Sequence, residues 1–176
     1  VCDKIKSFKS ACNIEPIISV DEEGGTVVRI SSNPLLSSHK YESPQYYYRQ
    51  GGMEAVNANT AEKSKLLSSL GITMNLAPVV DISTDPNDFI YDRSLGEDAQ
   101  TTADFAAQTV KIMSENGILS CLKHFPGYGG NVDTHTGIAV DERPLESFRE
   151  NDFIPFKSGI EAGADAVLVS HNIMTA

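Results

Sequence analysis

The chain has 176 residues, of which 40% are hydrophobic and 22% are charged, and this length and composition exclude both an intrinsically disordered protein and a mini-domain held by staples. The 24 acidic and 14 basic side chains give a net charge of -10, so we expect no nucleic-acid partner and no membrane surface as partner. The three cysteines have neither zinc-ligand nor redox spacing, which favours reduced thiols.

Four short apolar runs are typical of strands that are buried on both faces, because they are rich in Val, Ile and Leu and lack strict alternation. In chain order they cover residues 17–20, 74–80, 118–122 and 166–169. Longer segments between them predict helices over residues 54–70, 98–116 and 145–162, and each of these segments is followed by a glycine.

The helical period is clearest in residues 98–116, whereas Pro155 should kink or split the third helix. Two polar stretches without an apolar period, residues 33–48 and 83–96, are interpreted as long loops. Strands that alternate with helices predict parallel crossovers, and therefore an α/β protein.

Reactive side chains follow every predicted strand. Asp21 follows the first strand, Asp81 the second, Lys123 and His124 the third, and His171 the fourth. Because the carboxyl ends of parallel strands share one face, we expect these groups to converge on one pocket. We interpret His171 as a packed or hydrogen-bonded residue outside the site.

The glycine-rich segment KHFPGYGGNVDTHT, residues 123–136, places Asp133 two positions before His135. In an extended loop both side chains point the same way, so that the carboxylate can fix the imidazole tautomer and raise its basicity. The pair therefore fits a general acid/base, although a solvated loop pair fits the same pattern.

Other chemistries find little support in the sequence. His124, Asp133, His135 and Asp21 form the rival metal set, but no HExxH, His-x-His or CxxC spacing occurs. The glycines match no phosphate-binding motif, and no GxSxG elbow carries a serine nucleophile. We therefore expect no metal and no other cofactor.

Five blocks of sequence resemble glycoside hydrolase family 3, and their order and spacing fit its β-N-acetylglucosaminidase (β-N-acetylhexosaminidase) branch. They are VDEEGG at 20–25, LAPVVDI at 76–82, DRSLGED at 92–98, KHFPGYG at 123–129 and VDTH at 132–135. The resemblance covers nearly the whole chain. It implies that residues 1–176 are part of an N-terminal catalytic domain, namely the first half, about four strands, of a (β/α)8 TIM-type barrel.

The resemblance also implies hydrolysis with retention of configuration through a glycosyl intermediate on an aspartate. His135 matches the general acid/base and Asp133 the residue that assists it. The implied sugar-binding residues are Asp21, Arg29, Arg93, Lys123 and His124. For the two arginines an alternative remains, in which they pair with Glu22 or Glu97.

Several positions depart from the family pattern. Thr26 and Tyr128 replace a frequent arginine and a frequent histidine, and the loop between Gly127 and Asp133 is about one residue short. The Asp-Asp motif of the nucleophile is absent, which leads us to expect a nucleophile beyond residue 176. We also expect that the chain is a piece of a longer bacterial protein, is inactive alone, and self-associates through uncovered barrel edges.

Within the resemblance, several functions stay open. The substrate is expected to be an N-acetylglucosamine-containing glycan or muropeptide, and the enzyme a β-N-acetylhexosaminidase. The alternatives are a phosphorylase that uses phosphate in place of water, a β-glucosidase or β-xylosidase, and a non-catalytic sugar-binding fragment. The sequence favours neither the bacterial cytoplasm nor the cell envelope or exterior.

Overall fold

A parallel four-stranded sheet forms the centre of the molecule, of which the computed structural model describes residues 1–133 and 137–175. In chain order the strands are β1 (Ser19–Val20), β2 (Met74–Asn75), β3 (Leu119–Phe125), β4 (Val140–Asp141), β5 (Ala166–Val169) and β6 (Ile173–Met174). The sheet has the order β1-β2-β3-β5, while β4 and β6 pair separately. The parallel α/β arrangement predicted from the sequence is confirmed.

Five α-helices pack around or beside this sheet in the described ranges. They are α1 (Cys2–Ala11), α2 (Pro44–Ser69), α3 (Ala99–Glu115), α4 (Leu145–Ser147) and α5 (Phe153–Glu161). A 3-10 turn spans Tyr91–Arg93, and a π-helical turn, Phe148–Asp152, joins α4 to α5. Among the described residues, no helix has the length and apolar character needed to cross a membrane.

Helix α2 begins ten residues before its predicted start, so the interpretation of residues 44–48 as loop is wrong. Pro44 occupies the first turn, where a missing N–H costs nothing, and the Ser43 hydroxyl accepts a hydrogen bond from the Tyr46 N–H at 3.2 Å. Gly51 and Gly52 interrupt the helix with non-helical backbone angles. Helix α1 was not predicted, and none of its residues is buried.

The strand boundaries also differ from the predicted ones. Strand β1 begins at Ser19 rather than at residue 17, and β2 ends at Asn75, where the Ala77 N–H donates to the Asn75 carbonyl at 2.8 Å and the following Pro78 has no N–H for a regular ladder. The chain nevertheless stays beside β3, since the Val80 N–H donates to the Lys123 carbonyl at 2.8 Å. Strand β3 itself continues to Phe125, three residues further than predicted.

The predicted break near Pro155 is confirmed. The proline lies in the first turn of α5, directly after the π-helical turn. A proline ring excludes the carbonyl oxygen four residues earlier, here that of Asn151, so the regular helix cannot continue backward through this point.

One apolar core cluster lies between the sheet and the pair α3 and α5. It contains Val80, Ala106, Val110, Leu122 and Phe156. Gly159 allows close approach here, because a Cβ atom at this position would lie 2.7 Å from a methyl carbon of Leu122. The buried β3 therefore holds its carboxyl end, with Lys123 and His124, in a fixed position.

Candidate active site

Lys123 connects the residues that follow β1. Its Nζ lies 2.7 Å from Oδ1 of Asp21 and 2.6 Å from Oε1 of Glu23. The Lys123 side chain is 2% exposed, whereas that of Asp21 is 38% exposed. The ammonium group is therefore enclosed, and it orients a carboxylate that remains open to solvent.

Arg93, in the 3-10 turn, binds Glu23 through two hydrogen bonds of 2.9 and 2.8 Å. Its Nη2 also lies 3.1 Å from Nε2 of His124. A guanidinium group can only donate, so Nε2 accepts and the neutral imidazole carries its proton on Nδ1. Nδ1 in turn donates to Oδ2 of Asp81 at 2.8 Å.

Asp81 fixes the start of the glycine-rich segment. Its buried carboxylate accepts the His124 N–H at 2.9 Å and the Tyr128 N–H at 2.8 Å, in addition to the imidazole. We call the set of Asp21, Glu23, Asp81, Arg93, Lys123 and His124 the strand-end cluster. It joins residues at or beyond the carboxyl ends of β1, β2 and β3 to Arg93 of the 3-10 turn.

Glu23 remains ionised within this cluster. Burial by itself raises the pKa of a carboxyl group, but the hydrogen bonds from Arg93 and the charge of Lys123 outweigh that effect and hold the pKa of Glu23 below its ordinary value. Burial likewise lowers the pKa of Arg93, and its pairing with Glu23 more than reverses this.

A cleft of about 320 Å³ opens above the cluster. Its lining includes Asp21, Arg29, Lys123, His124, Tyr128, Ser170 and His171. Four of the five predicted sugar-binding residues therefore share one cleft, while the fifth, Arg93, contacts His124 from behind it. His171 is exposed at this cleft, so its interpretation as a packed residue is wrong.

The alternative pairing of the arginines is resolved in part. Arg93 pairs with Glu23 rather than with Glu97. Glu22 does bind Arg29, but through the backbone: one of its oxygens accepts the N–H groups of Arg29 and Ile30 at 2.7 Å each. Glu22 thus shapes the turn that presents the exposed Arg29 side chain.

Sequence reasoning missed Glu23 and Lys63. Lys63 of α2 is buried, and its Nζ donates to the Glu23 carbonyl at 2.7 Å. Burial lowers its pKa to about 8, although the charges of Glu22 and Glu23 act in the opposite direction. Lysine side chains on helices are usually exposed to solvent, so the burial of Lys63 becomes visible only when the packing of α2 in the fold is known.

Asp133 is half-buried, whereas His135 lies outside the described residues, so their pairing remains a prediction. Within residues 1–133 and 137–175, no group of three or more His, Cys, Asp and Glu side chains is arranged to hold a metal ion.

Charged side chains at the carboxyl ends of neighbouring parallel strands, facing one cleft, are typical of α/β enzyme domains, among them those of the TIM-barrel type. Residues 3–176 match the model of the glycosyl hydrolase family 3 N-terminal domain. The chain belongs to this family.

Individual relatives agree with this assignment. A protein from Xanthomonas oryzae pv. oryzae named Beta-hexosaminidase is 33% identical over 174 residues, which are 97% of this chain and 52% of that protein. M. tuberculosis LpqI is 29% identical with a TM-score of 0.86, over 97% of this chain and 50% of its own. NagZ from Neisseria gonorrhoeae, in complex with N-trifluoroacetyl-D-glucosamine, is 26% identical with a TM-score of 0.77, over 97% and 51%. The chain thus spans about half the length of the curated relatives it matches.

Proposed function

We propose that the protein containing this chain hydrolyses terminal β-linked N-acetylglucosamine, or N-acetylhexosamine, from a glycan or muropeptide. The observation that carries the proposal is the convergence of Asp21, Arg29, Lys123 and His124 on one cleft. The name Beta-hexosaminidase of the Xanthomonas relative and the N-acetylglucosamine analogue bound to the Neisseria protein support this substrate class.

The cleft suits an uncharged, hydroxyl-rich ring. Because Lys123 holds Oδ1 of Asp21, the other oxygen is available to accept hydroxyl protons from the sugar. The exposed guanidinium of Arg29 supplies fixed donors at the same cleft. Asp81 and Arg93 engage both ring nitrogens of His124, so the imidazole is held in one orientation where it lines the cleft.

In this proposal the reaction follows the retaining pathway. An aspartate beyond residue 176 attacks the anomeric carbon while His135, assisted by Asp133, gives its proton to the departing oxygen. His135 then takes a proton from water, whose oxygen displaces the aspartate and releases the sugar. Each half-reaction breaks one bond to the anomeric carbon and forms one on the opposite face, so two successive inversions retain the configuration.

The test uses the full-length gene product and an unactivated N-acetylglucosaminide. We expect His135→Ala to lower kcat/KM about 10²- to 10⁴-fold, which is the usual contribution of a general acid/base, and Asp133→Ala to act in the same direction. His39→Ala, at an exposed histidine, is the matched control and should retain the parent rate. Parent-like turnover by His135→Ala and Asp133→Ala would refute the assignment, whereas residues 1–176 alone should be inactive.

The alternatives predict different products. A phosphorylase releases a sugar 1-phosphate, and its turnover requires phosphate, whereas the hydrolase releases the free sugar at the same rate with and without phosphate. A β-glucosidase accepts the substrate that lacks the acetamido group, and a sugar-binding protein binds the glycan without turnover. We expect phosphate-independent release of free N-acetylglucosamine.

A further inference from the structure

Arg143 joins both ends of the segment that carries Asp133 and His135. Its Nη2 donates to the Gly127 carbonyl at 3.1 Å and to Oδ2 of Asp141 at 2.8 Å. These contacts tie residue 127, just after β3, to residue 141, in β4. One planar guanidinium group therefore fixes the distance between the two ends of the segment.

A third element completes this arrangement. The Nη1 atom of Arg143 donates to both oxygens of Asp152, at 3.1 and 3.0 Å, and its Cζ lies 4.2 Å from the centre of the Phe148 ring. Asp152 and Phe148 belong to the π-helical turn, which leads into α5 and so into the core. The side chains of Asp141 and Asp152 are each 2% exposed, so both carboxylates are buried, while the Arg143 side chain is 30% exposed.

The glycine-rich residues fit around this group. Gly129 has a φ of +55°, and a Cβ atom there would lie 2.8 to 3.0 Å from three atoms of the Arg143 guanidinium. Gly127 packs in the same way against Asp152. Asn131 adds a further link, because its Nδ2 donates to the Tyr128 carbonyl at 2.9 Å and to Oδ2 of Asp141 at 2.8 Å.

We propose that Arg143 is a positioning residue for the acid/base: it holds residues 127–131 and 141 together and thereby sets where Asp133 and His135 stand relative to the cleft. This inference rests on the proposed function of those two residues. Arg143 does not line the cleft among the described residues, so it acts through the segment rather than on the sugar. Lysine cannot replace it, since an ammonium group lacks the planar fork that serves two carboxylates and a carbonyl at once.

The test distinguishes a loss of leaving-group protonation from a loss of activity on every substrate. Full-length Arg143→Lys is compared with the parent on an unactivated N-acetylglucosaminide and on the 2,4-dinitrophenyl analogue, whose leaving group needs no proton. Because a displacement of about 1 Å can cost about 100-fold, we expect kcat/KM to fall by about that factor for the first substrate and by less than about threefold for the second. Arg149→Lys, at an exposed arginine that contacts Glu146 at 3.4 Å, should match the parent on both.

Equal losses on both substrates, or no loss on either, would overturn the proposal. Asn131→Ala removes only the link to Asp141 and the Tyr128 carbonyl, so it tests the same selectivity at lower cost to folding, with a smaller loss expected on the unactivated substrate alone. If Arg143→Lys fails to fold, equal or absent losses with Asn131→Ala are themselves the refuting result.

A readout that needs no activity distinguishes this proposal from the proposed function. Limited proteolysis of the full-length protein should cut the segment between residues 127 and 141 faster in Arg143→Lys than in the parent, and no faster in Arg149→Lys. If Arg143→Lys is cut faster but the parent has no hydrolytic activity, the proposed function is refuted while the role of Arg143 in holding the segment stands. If Arg143→Lys is cut at the same rate as the parent, the role of Arg143 in holding the segment is refuted.

Discussion

Two buried charge clusters organise this molecule in different ways. The strand-end cluster is built on residues within or beyond the carboxyl ends of the sheet strands, with Arg93 from the 3-10 turn, and it leaves an oxygen of Asp21 open to the cleft. The second cluster, Asp141, Arg143 and Asp152, joins the ends of a loop to a π-helical turn. The two clusters serve different proposed roles: the groups proposed to orient a sugar lie on rigid strand ends, whereas the groups proposed to move a proton lie on a segment that is held at both ends.

The strand-end cluster can be broken at its centre. Glu23→Gln leaves Lys123 and Arg93 enclosed without their shared carboxylate, and removal of one partner from a buried ion pair typically costs about 3–5 kcal/mol of unfolding free energy. Urea denaturation of the full-length protein measures the loss. Glu54→Gln, at an exposed position of α2, should stay within about 0.5 kcal/mol of the parent.

A loss as small as that of the control would mean that Glu23 is dispensable to the cluster. The strand-end cluster would then keep Lys123 and Arg93 in place without the carboxylate that both of them bind, and its proposed difference from the second cluster would no longer stand.

Lys63, which donates to the Glu23 carbonyl beside the strand-end cluster, gives the protein a pH signature in the alkaline range. The pKa of Lys63 is about 8 in the folded protein, against an ordinary value of 10.5. Below pH 8 the Lys63 amine is protonated in both the folded and the unfolded protein. Between pH 8 and pH 10.5 it is protonated only in the unfolded protein, so unfolding takes up a proton. The free energy of unfolding therefore rises with pH in this range. From pH 8 to pH 10 the rise due to this group should reach about 2–3 kcal/mol.

The measurement is the difference between the parent and Lys63→Met, by urea denaturation from pH 7 to pH 10. This range stops where Tyr41 would begin to act in the opposite direction, because burial raises its pKa to about 12. Lys65→Met, at an exposed position of the same helix, should follow the parent curve. A Lys63→Met curve parallel to that of the parent would show that the buried amine does not titrate in this range.

The sequence predicted the parallel α/β fold because apolar runs buried on both faces are a strong local signal, as in β3. It also brought together Asp21, Lys123 and His124, because strand ends share one face. These predictions depend on periodicity and topology, whereas Arg29 was named only through the family resemblance. The boundaries of β2 and α2 were wrong, since backbone hydrogen bonding around Pro78 and capping by Ser43 decide them.

The missed residues have a common physical reason. Glu23, Lys63 and Arg143 are charged side chains whose partners lie far away in sequence or on another element, as with Arg93 and Glu23, which are 70 residues apart. A local pattern reads such side chains as solvated. Their burial is set by packing, so only the folded arrangement identifies them.

The smallest expected effect on the second cluster is that of a substitution at Gly129. Gly129→Ala adds a methyl group against the Arg143 guanidinium at a φ of +55°, a conformation that costs an L-residue about 1–2 kcal/mol. We expect that loss in urea denaturation, together with a loss of turnover confined to the unactivated substrate. Gly137→Ala, where an added Cβ meets nothing within 4 Å, is the matched control and should change neither. An equal loss of turnover on both substrates would contradict this expectation. It would mean that the methyl group disturbs sugar binding at the strand-end cluster rather than the segment that carries Asp133.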